Sequence, residues 1–248
     1  MTTCRMVTGL MDKERVAVVI PVYNHESKVA QVLREALKLH LPLFVIDDGS
    51  TDSTYDRIKD MPSVTIIRHG TNRGKGAAIM TGFAAVALSA DWVVTMDADG
   101  QHHPENAYNL LHAVPPGERP IIVGQREKMD HRHVPWKSRF GRLFSNFWVR
   151  TCGGPNIRDT QSGFRLYPLP EAMHLNVRAR RFQFEVEILV RAKWQGIPVL
   201  ETPVRVTYDA KDERVSHYRG FIDFFRNAGT FSRLIFVRLC VLPFIRGK

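Results

Sequence analysis

The segment Asp97-Ala98-Asp99-Gly100-Gln101 places two carboxylates one residue apart, with a side-chain amide two residues further on. At the end of a strand, carboxylates with this spacing can both face one hard divalent cation, Mg2+ or Mn2+. The Gln101 oxygen is then a third donor, and open coordination positions remain for diphosphate oxygens. The same residues also suit a turn and a helix cap ahead of Pro104. His102 and His103 read as loop or first-turn residues, because oxygen donors suffice for a phosphate-bridging metal. A second acidic cluster, Asp47-Asp48-Gly49-Ser50-Thr51-Asp52, can accept hydrogen bonds from a base or ribose. Within it, Ser50 or Asp52 can cap the helix that follows. The stretch Asn72-Arg73-Gly74-Lys75-Gly76 is not a Walker phosphate loop. Gly70 stands one residue too close, and Gly76 occupies the place of the metal-binding hydroxyl.

These clusters need elements that bring them together. Short apolar, β-branched runs predict strands over 16–23, 43–46, 64–67 and 92–96, with helices over 27–40, 51–59 and 76–90 between them. Strands that alternate with helices at this spacing predict an α/β fold with a doubly wound, mainly parallel sheet. Ligands of such sheets bind at the carboxyl ends of the strands. Tyr23-Asn24, Asp47-Asp48 and Asp97-Ala98-Asp99 each follow such an end. Further along, strands are predicted over 121–123 and 199–208, and helices over 136–150, 182–194 and 218–239.

Composition narrows the class. The chain has 248 residues, long enough for a substantial core, and 35 Lys and Arg against 25 Asp and Glu give a net charge of +10. Two segments hold all of that excess. Residues 131–150 carry five basic residues and no acid, and residues 211–248 carry eight basic residues against three acids. Three distant cysteines, Cys4, Cys152 and Cys240, fit a reducing compartment rather than a disulfide framework. No signal-peptide core and no bilayer-spanning run of about 18 apolar residues is evident.

Seven ordered blocks carry a resemblance: IPVYN (20–24), DDGSTD (47–52), NRGKGAA (72–78), DADGQHHP (97–104), VGQR (123–126), DTQSGFRLY (159–167) and FEVEILVRA (184–192). The chain resembles family 2 glycosyltransferases of GT-A fold, and within them the polyprenyl-phosphate glycosyltransferases of the dolichyl-phosphate mannose synthase type. The resemblance implies inverting, metal-dependent transfer of a hexose to a polyprenyl phosphate, from a donor of GDP-mannose or UDP-glucose type. It implies that Pro21, Tyr23, Asn24, Asp47 and Asp48 line the nucleoside pocket, with Lys75 nearby and Asp97, Ala98 and Asp99 at the nucleotide. Asp97, Asp99 and Gln101 would hold the metal. Arg126 and Arg139 or Arg142 would bind the acceptor phosphate, with Ser145 one turn on. Arg214 matches a basic residue on a loop that closes over the diphosphate.

Two places depart from the family pattern. The usual Tyr-Asn-Glu is Tyr23-Asn24-His25 here, with Glu26 displaced by one, and Ser216-His217-Tyr218 differs from the usual end of the closing loop. An anionic lipid phosphate needs no base to deprotonate it. A hydroxyl acceptor would need one, with Asp159 the candidate, although Asp159 also reads as a structural anchor of the SGFR turn. Arg165 likewise suits pairing with an acid.

The resemblance divides the chain into a catalytic domain over 15–210, with a nucleotide-sugar half (15–125) and an acceptor half (126–210), and an extension over 211–248. On the final helix Arg219, Arg226 and Arg233 recur every seven residues, while Phe221, Phe225, Phe231 and Ile235 occupy other faces. A basic amphipathic helix of this kind fits the interface of a membrane, here its cytoplasmic face. The alternatives are packing on the domain body and a homo-oligomer contact. A basic nucleic-acid-binding module would leave DADGQ unexplained, so no nucleic-acid partner is expected.

Overall fold

The computed structural model describes residues 15–127, 136–207 and 220–243. Arg214, Arg219 and the side chains of Arg139 and Arg226 lie outside what is described. Seven strands form one sheet: β1 (Val16–Val22), β2 (Leu43–Asp47), β3 (Val64–Arg68), β4 (Trp92–Thr95), β5 (Ile121–Arg126), β6 (Arg165–Pro168) and β7 (Val199–Val204). Their order is β3-β2-β1-β4-β6-β5-β7. Every neighbouring pair is parallel except those of β6, which runs antiparallel to β4 and β5.

The central strands are apolar along their whole length because both faces of the sheet are covered. In β1, Val18 and Ile20 enter one core while Ala17 and Val19 enter the other. The first core is closed by α1 (Val29–Leu37), α2 (Thr54–Ile58) and α4 (Asn106–His112). Helix α1 contributes Val29, Val32, Leu33 and Ala36, the single stripe of an amphipathic helix. The second core is closed by α3 (Lys75–Val86) and α6 (Phe184–Trp194). Gly82 lets α3 lie close on β1, since a Cβ there would come within 2.3 Å of Val19 Cγ1.

A third apolar cluster joins α6 to α5 (Trp136–Thr151) and α7 (Gly220–Phe236) through Val149, Cys152, Val186, Val190, Phe231 and Leu234. Trp148 stacks on Phe231 at 6.0 Å. A π-helical turn, Val237–Val241, follows α7. Among the described residues no helix is long and apolar enough to cross a membrane.

Three expectations change. Helix α4 and strand β6 were not predicted. Arg233, expected on a solvated or membrane-facing stripe of the last helix, turns to the body instead. Its Nη2 lies 2.5 Å from Oε2 of Glu187, a carboxylate without exposure on α6. Glu187 also accepts from Nε of Arg191 at 2.7 Å and from the main-chain N–H groups of Arg178 and Ala179. A buried carboxylate needs such partners, and this one draws the arginine inward.

Candidate active site

The predicted nucleotide residues meet at the carboxyl end of the sheet. Pro21 pairs in register with Ile46 inside β1, and the chain leaves the strand at Tyr23. Asn24 adopts a left-handed backbone, φ 52, which its short amide side chain tolerates. Its main-chain N–H donates to Ser50 Oγ at 3.0 Å, and its Oδ1 accepts from the Thr51 N–H at 2.8 Å. The ends of β1 and β2 are thereby tied together. The displaced Glu26 accepts from the Ser53 N–H at 2.9 Å, holding the start of α2. Asp52 caps that same start by accepting from the Thr54 N–H at 3.0 Å, whereas Ser50 serves Asn24.

Both acids of the Asp47-Asp48 pair are buried and bonded within the protein. Asp47 Oδ1 accepts from the Ser50 N–H, and its Oδ2 lies 3.0 Å from Arg68 Nε. Asp48 receives His69 Nδ1 at 2.7 Å, the Arg73 N–H at 2.9 Å and the Gly74 N–H at 2.7 Å. Asp48 thus shapes the loop that precedes Lys75. Gly74 permits that loop by taking φ 100, and a Cβ there would meet the Arg180 carbonyl at 2.5 Å.

Lys75, the first residue of α3, reaches into the Asp97–Gln101 segment. Its Nζ lies 2.6 Å from Asp97 Oδ1 and 2.5 Å from Glu185 Oε1. Burial opposes its charge, but the two carboxylates outweigh burial and raise its pKa above the ordinary lysine value. Burial likewise pushes the Asp97 carboxyl up, and Lys75, His102 and Arg126 together hold it below the usual range. Asp99 is raised by burial and by the neighbouring Asp97 charge. Its Oδ1 accepts from the Gln101 N–H at 3.0 Å.

This donor set fits a hard divalent cation. Asp97 and Asp99 are partly buried and the charge of the first acts on the second, a repulsion that a cation would relieve, and the third donor in the segment is an amide oxygen. Among the described residues no group of three His, Cys, Asp and Glu side chains assembles that could hold a metal. His102 stacks on Phe164 at 5.0 Å, and burial lowers its pKa to about 4, so it is neutral at physiological pH. His103 bonds Thr207 Oγ1 at 2.8 Å. Both are loop residues, as predicted.

The residues predicted for the acceptor enter by way of β6. Because that strand is antiparallel, the loop before it, rather than after it, arrives at the carboxyl ends of β4 and β5. Thr95 Oγ1 donates to the Gly163 carbonyl at 2.8 Å, and the Gly124 N–H donates to the Phe164 carbonyl at 2.9 Å. Arg126 ends β5 and grips Asp159 with two parallel bonds, Nε to Oδ2 at 2.7 Å and Nη2 to Oδ1 at 2.9 Å. Burial raises the Asp159 carboxyl, but Arg126 outweighs it and keeps the acid ionised, with Arg142 adding to the effect. Ser145 Oγ lies 2.9 Å from Thr160 Oγ1, joining α5 to the same loop.

Arg165 is a correction. Fully buried, it donates to the carbonyls of Thr160, Ser162 and Glu185 and to the Tyr167 hydroxyl, so it organises the loop through main-chain oxygens. Three residues with no predicted role join the site: Glu185, His69 and Gly163. A Cβ on Gly163 would stand 2.6 Å from Asp97 Oδ2 and 2.7 Å from Lys75 Nζ. The signal for Glu185 lay in FEVE, two acids inside an otherwise apolar run, since buried acids require nearby cations.

Residues 17–169 match the family model described as Glycosyl transferase family 2. The chain is 30% identical to the polyprenol monophosphomannose synthase of Mycolicibacterium smegmatis over 216 residues, covering 78% of each protein. It is 29% identical to the UDP-N-acetylglucosamine--dolichyl-phosphate N-acetylglucosaminyltransferase of Methanococcus voltae, over 80% of this chain and 88% of that protein. Among solved structures, glucosyl-3-phosphoglycerate synthase from Mycobacterium tuberculosis superposes with a TM-score of 0.70 at 18% identity. That match covers 94% of this chain and 82% of the other, whose crystals held Mn2+, UDP-glucose and phosphoglyceric acid. The fold is the GT-A arrangement. The chain belongs to glycosyl transferase family 2 and is a glycosyltransferase.

Proposed function

We propose that the protein moves a hexose from a nucleoside-diphosphate sugar to a polyprenyl phosphate, with inversion, at the cytoplasmic face of a membrane. The observation that carries this reading is the Arg126–Asp159 pair, set at the same carboxyl end of the sheet as Asp97 and with Arg142 near enough to act on Asp159. Asp159 takes the Nε and Nη2 fork and so fixes where the Arg126 guanidinium sits, and a positioned guanidinium suits a phosphate acceptor. A carboxylate held ionised by two charge-assisted bonds is a weak proton acceptor, which disfavours Asp159 as base for a hydroxyl. The names of the mannose and N-acetylglucosamine relatives support the same acceptor class, and a nucleoside-diphosphate sugar as donor is supported by the UDP-N-acetylglucosamine of one relative and the UDP-glucose of the Mycobacterium tuberculosis structure.

In this reading, Tyr23, Asn24 and Pro21 bound the nucleoside, and Asp47 and Asp48 hold the loops around it. Asp97, Asp99 and Gln101 would hold Mg2+ or Mn2+, which when bound neutralises diphosphate charge and favours departure of the leaving group. Lys75 stays protonated beside the diphosphate. Arg126 and Arg142, or Arg139, hold the acceptor phosphate so that one of its oxygens faces the anomeric carbon. The acceptor oxygen is already anionic, so the bond to the sugar forms as the bond to the nucleoside diphosphate breaks, without a base. Arg214 would offset charge on the departing diphosphate.

A membrane setting is supported by Leu143 and Phe147 on α5 and by Phe236 and Leu239 on α7 and its π turn. All four are large apolar side chains left mostly exposed on helices that pack together. Residues 211–248 are the proposed interfacial extension. The decisive experiment measures release of nucleoside diphosphate from UDP- and GDP-sugars with Mg2+ or Mn2+, with and without polyprenyl phosphate. Turnover that needs both lipid phosphate and metal supports the reading. Turnover with a hydroxyl acceptor alone, lost in Asp159→Asn, refutes it.

A further inference from the structure

A pocket of about 350 Å³ opens between residues 178–183 and α7, lined by none of the residues assigned above to nucleotide, metal or acceptor. Its lining brings together the side chains of Arg178, Arg180, Arg181, Gln183, Thr230 and Arg233. The main chain of the same segment seals the start of α3, with the Ala77 N–H donating to the Arg180 carbonyl at 2.9 Å. The segment therefore has one side on the active-site loop and the other on α7. Glu187 partly balances the charge by pairing with Arg233, and Arg181 donates to Asn72 Oδ1 at 3.1 Å. Arg178 and Arg180 stand exposed at the rim.

Two donors here lack a partner among the described residues. Gln183 is only 4% exposed, and its Nε2 is buried without a hydrogen bond; so is Nε of Arg233. A buried polar donor left unpaired forfeits its hydration without replacement, so such groups mark a place where a ligand or water completes the structure. The neighbours define what would complete it. Four guanidinium groups against one carboxylate select an anion, and guanidinium forks match phosphate oxygens. The volume lies at the lower end of small-molecule pockets (roughly 300–1,000 Å³), which suits a diphosphate or a phosphodiester headgroup rather than a simple halide.

We propose that the pocket formed by Arg178, Arg180, Gln183 and Arg233 binds a phosphate-bearing anion, either a free diphosphate or the headgroup of an anionic phospholipid. The proposal does not depend on the transfer reaction. Exposed Phe236 lies on the same helix three residues beyond Arg233, so a headgroup held here would leave its acyl chains beside an apolar side chain.

The test uses the full chain, inorganic pyrophosphate in EDTA, and vesicles of phosphatidylcholine with or without phosphatidylglycerol. Three variants are compared: Arg178→Gln with Arg180→Gln, the uncharged replacement Gln183→Met, and a charge-matched control, Arg34→Gln with Lys38→Gln, on α1 across the sheet. Pyrophosphate affinity at least tenfold weaker in both pocket variants, and unchanged in the control, establishes the site for a free diphosphate. Vesicle binding that needs phosphatidylglycerol and falls in both pocket variants but not in the control establishes it for a headgroup. Equal behaviour of pocket variants and control with both probes overturns the proposal. Glycosyl transfer, assayed in parallel, separates this outcome from any failure of the proposed reaction.

Discussion

Glu185 Oε1 stands 2.5 Å from Lys75 Nζ although 110 residues separate the two in the chain. The bond joins the first turn of α6 to the first turn of α3, and through Lys75 it reaches Asp97. Glu185→Gln removes one of the two carboxylates that keep Lys75 charged and aimed. Transfer should fall by about 10–100-fold, the usual loss when a group orienting a metal-site residue is removed. Steady-state kinetics against metal concentration will check this, with unchanged far-UV circular dichroism showing that the fold survives.

Gly163→Ala should separate activity from folding. A methyl group placed 2.6 Å from Asp97 Oδ2 must displace the carboxylate, the ammonium of Lys75 or the loop itself. The atoms that must give way are the ends of side chains that can swing aside, so the cost to folding should stay within about 1 kcal/mol, which thermal unfolding will check. The loss of turnover should be larger than that figure implies, because the displaced group is the proposed metal ligand.

The Arg126–Asp159 pair carries a pH signature. Its folded carboxyl is depressed, so its contribution to stability is full above the unfolded value of about 3.9 and disappears as pH falls through the lower folded value. Asp159→Asn leaves the guanidinium partly buried, a change expected to cost about 3–5 kcal/mol at neutral pH. The difference in unfolding free energy between wild type and variant should stay constant from pH 8 to pH 5 and shrink below about pH 4. A difference that does not vary with pH would show that the pair contributes no charge interaction.

The cysteines should differ in reactivity. Cys152 is buried between α5 and α7, donates to the Phe231 carbonyl, and has its thiol pushed up to about 11 by burial. Cys240 is exposed on the π turn. At pH 8, peptide mapping after brief alkylation of native protein should find modified Cys240 and unmodified Cys152. Phe231→Ala, which opens the third cluster, should expose Cys152 to the reagent.

Much of this was legible before any coordinates. Val16–Val22, Leu43–Asp47 and Trp92–Thr95 announce themselves because a strand buried on both faces must be apolar throughout. The acids at their ends stand out against that background. Strand β6 was hidden because four residues, Arg165–Pro168, follow a polar loop and include a buried arginine that resembles a surface residue in composition. Helix α4 was hidden by its seven-residue length. Arg233 was misread because a heptad of arginines suggests solvent, and its direction is decided by Glu187, 46 residues earlier. Periodicity reports which face is apolar, but it cannot report that a buried acid elsewhere will claim a charge from the polar face.

The place of β6 bears on how the enzyme comes into being. It is inserted between β4 and β5, and among the described strands β5 pairs with β6 and β7 alone. When synthesis has passed residue 126, β4 is still an open edge and Arg126 belongs to a strand with nothing to pair with. The strands around β1 can collapse early, while β5 must wait for the last two strands to be made. A chain cut after β5 would therefore keep Asp97, Lys75 and Arg126 and lack Glu185 and Asp159, the carboxylates that hold Lys75 and Arg126 in place. During translation this delays a complete catalytic centre until the polypeptide is nearly finished.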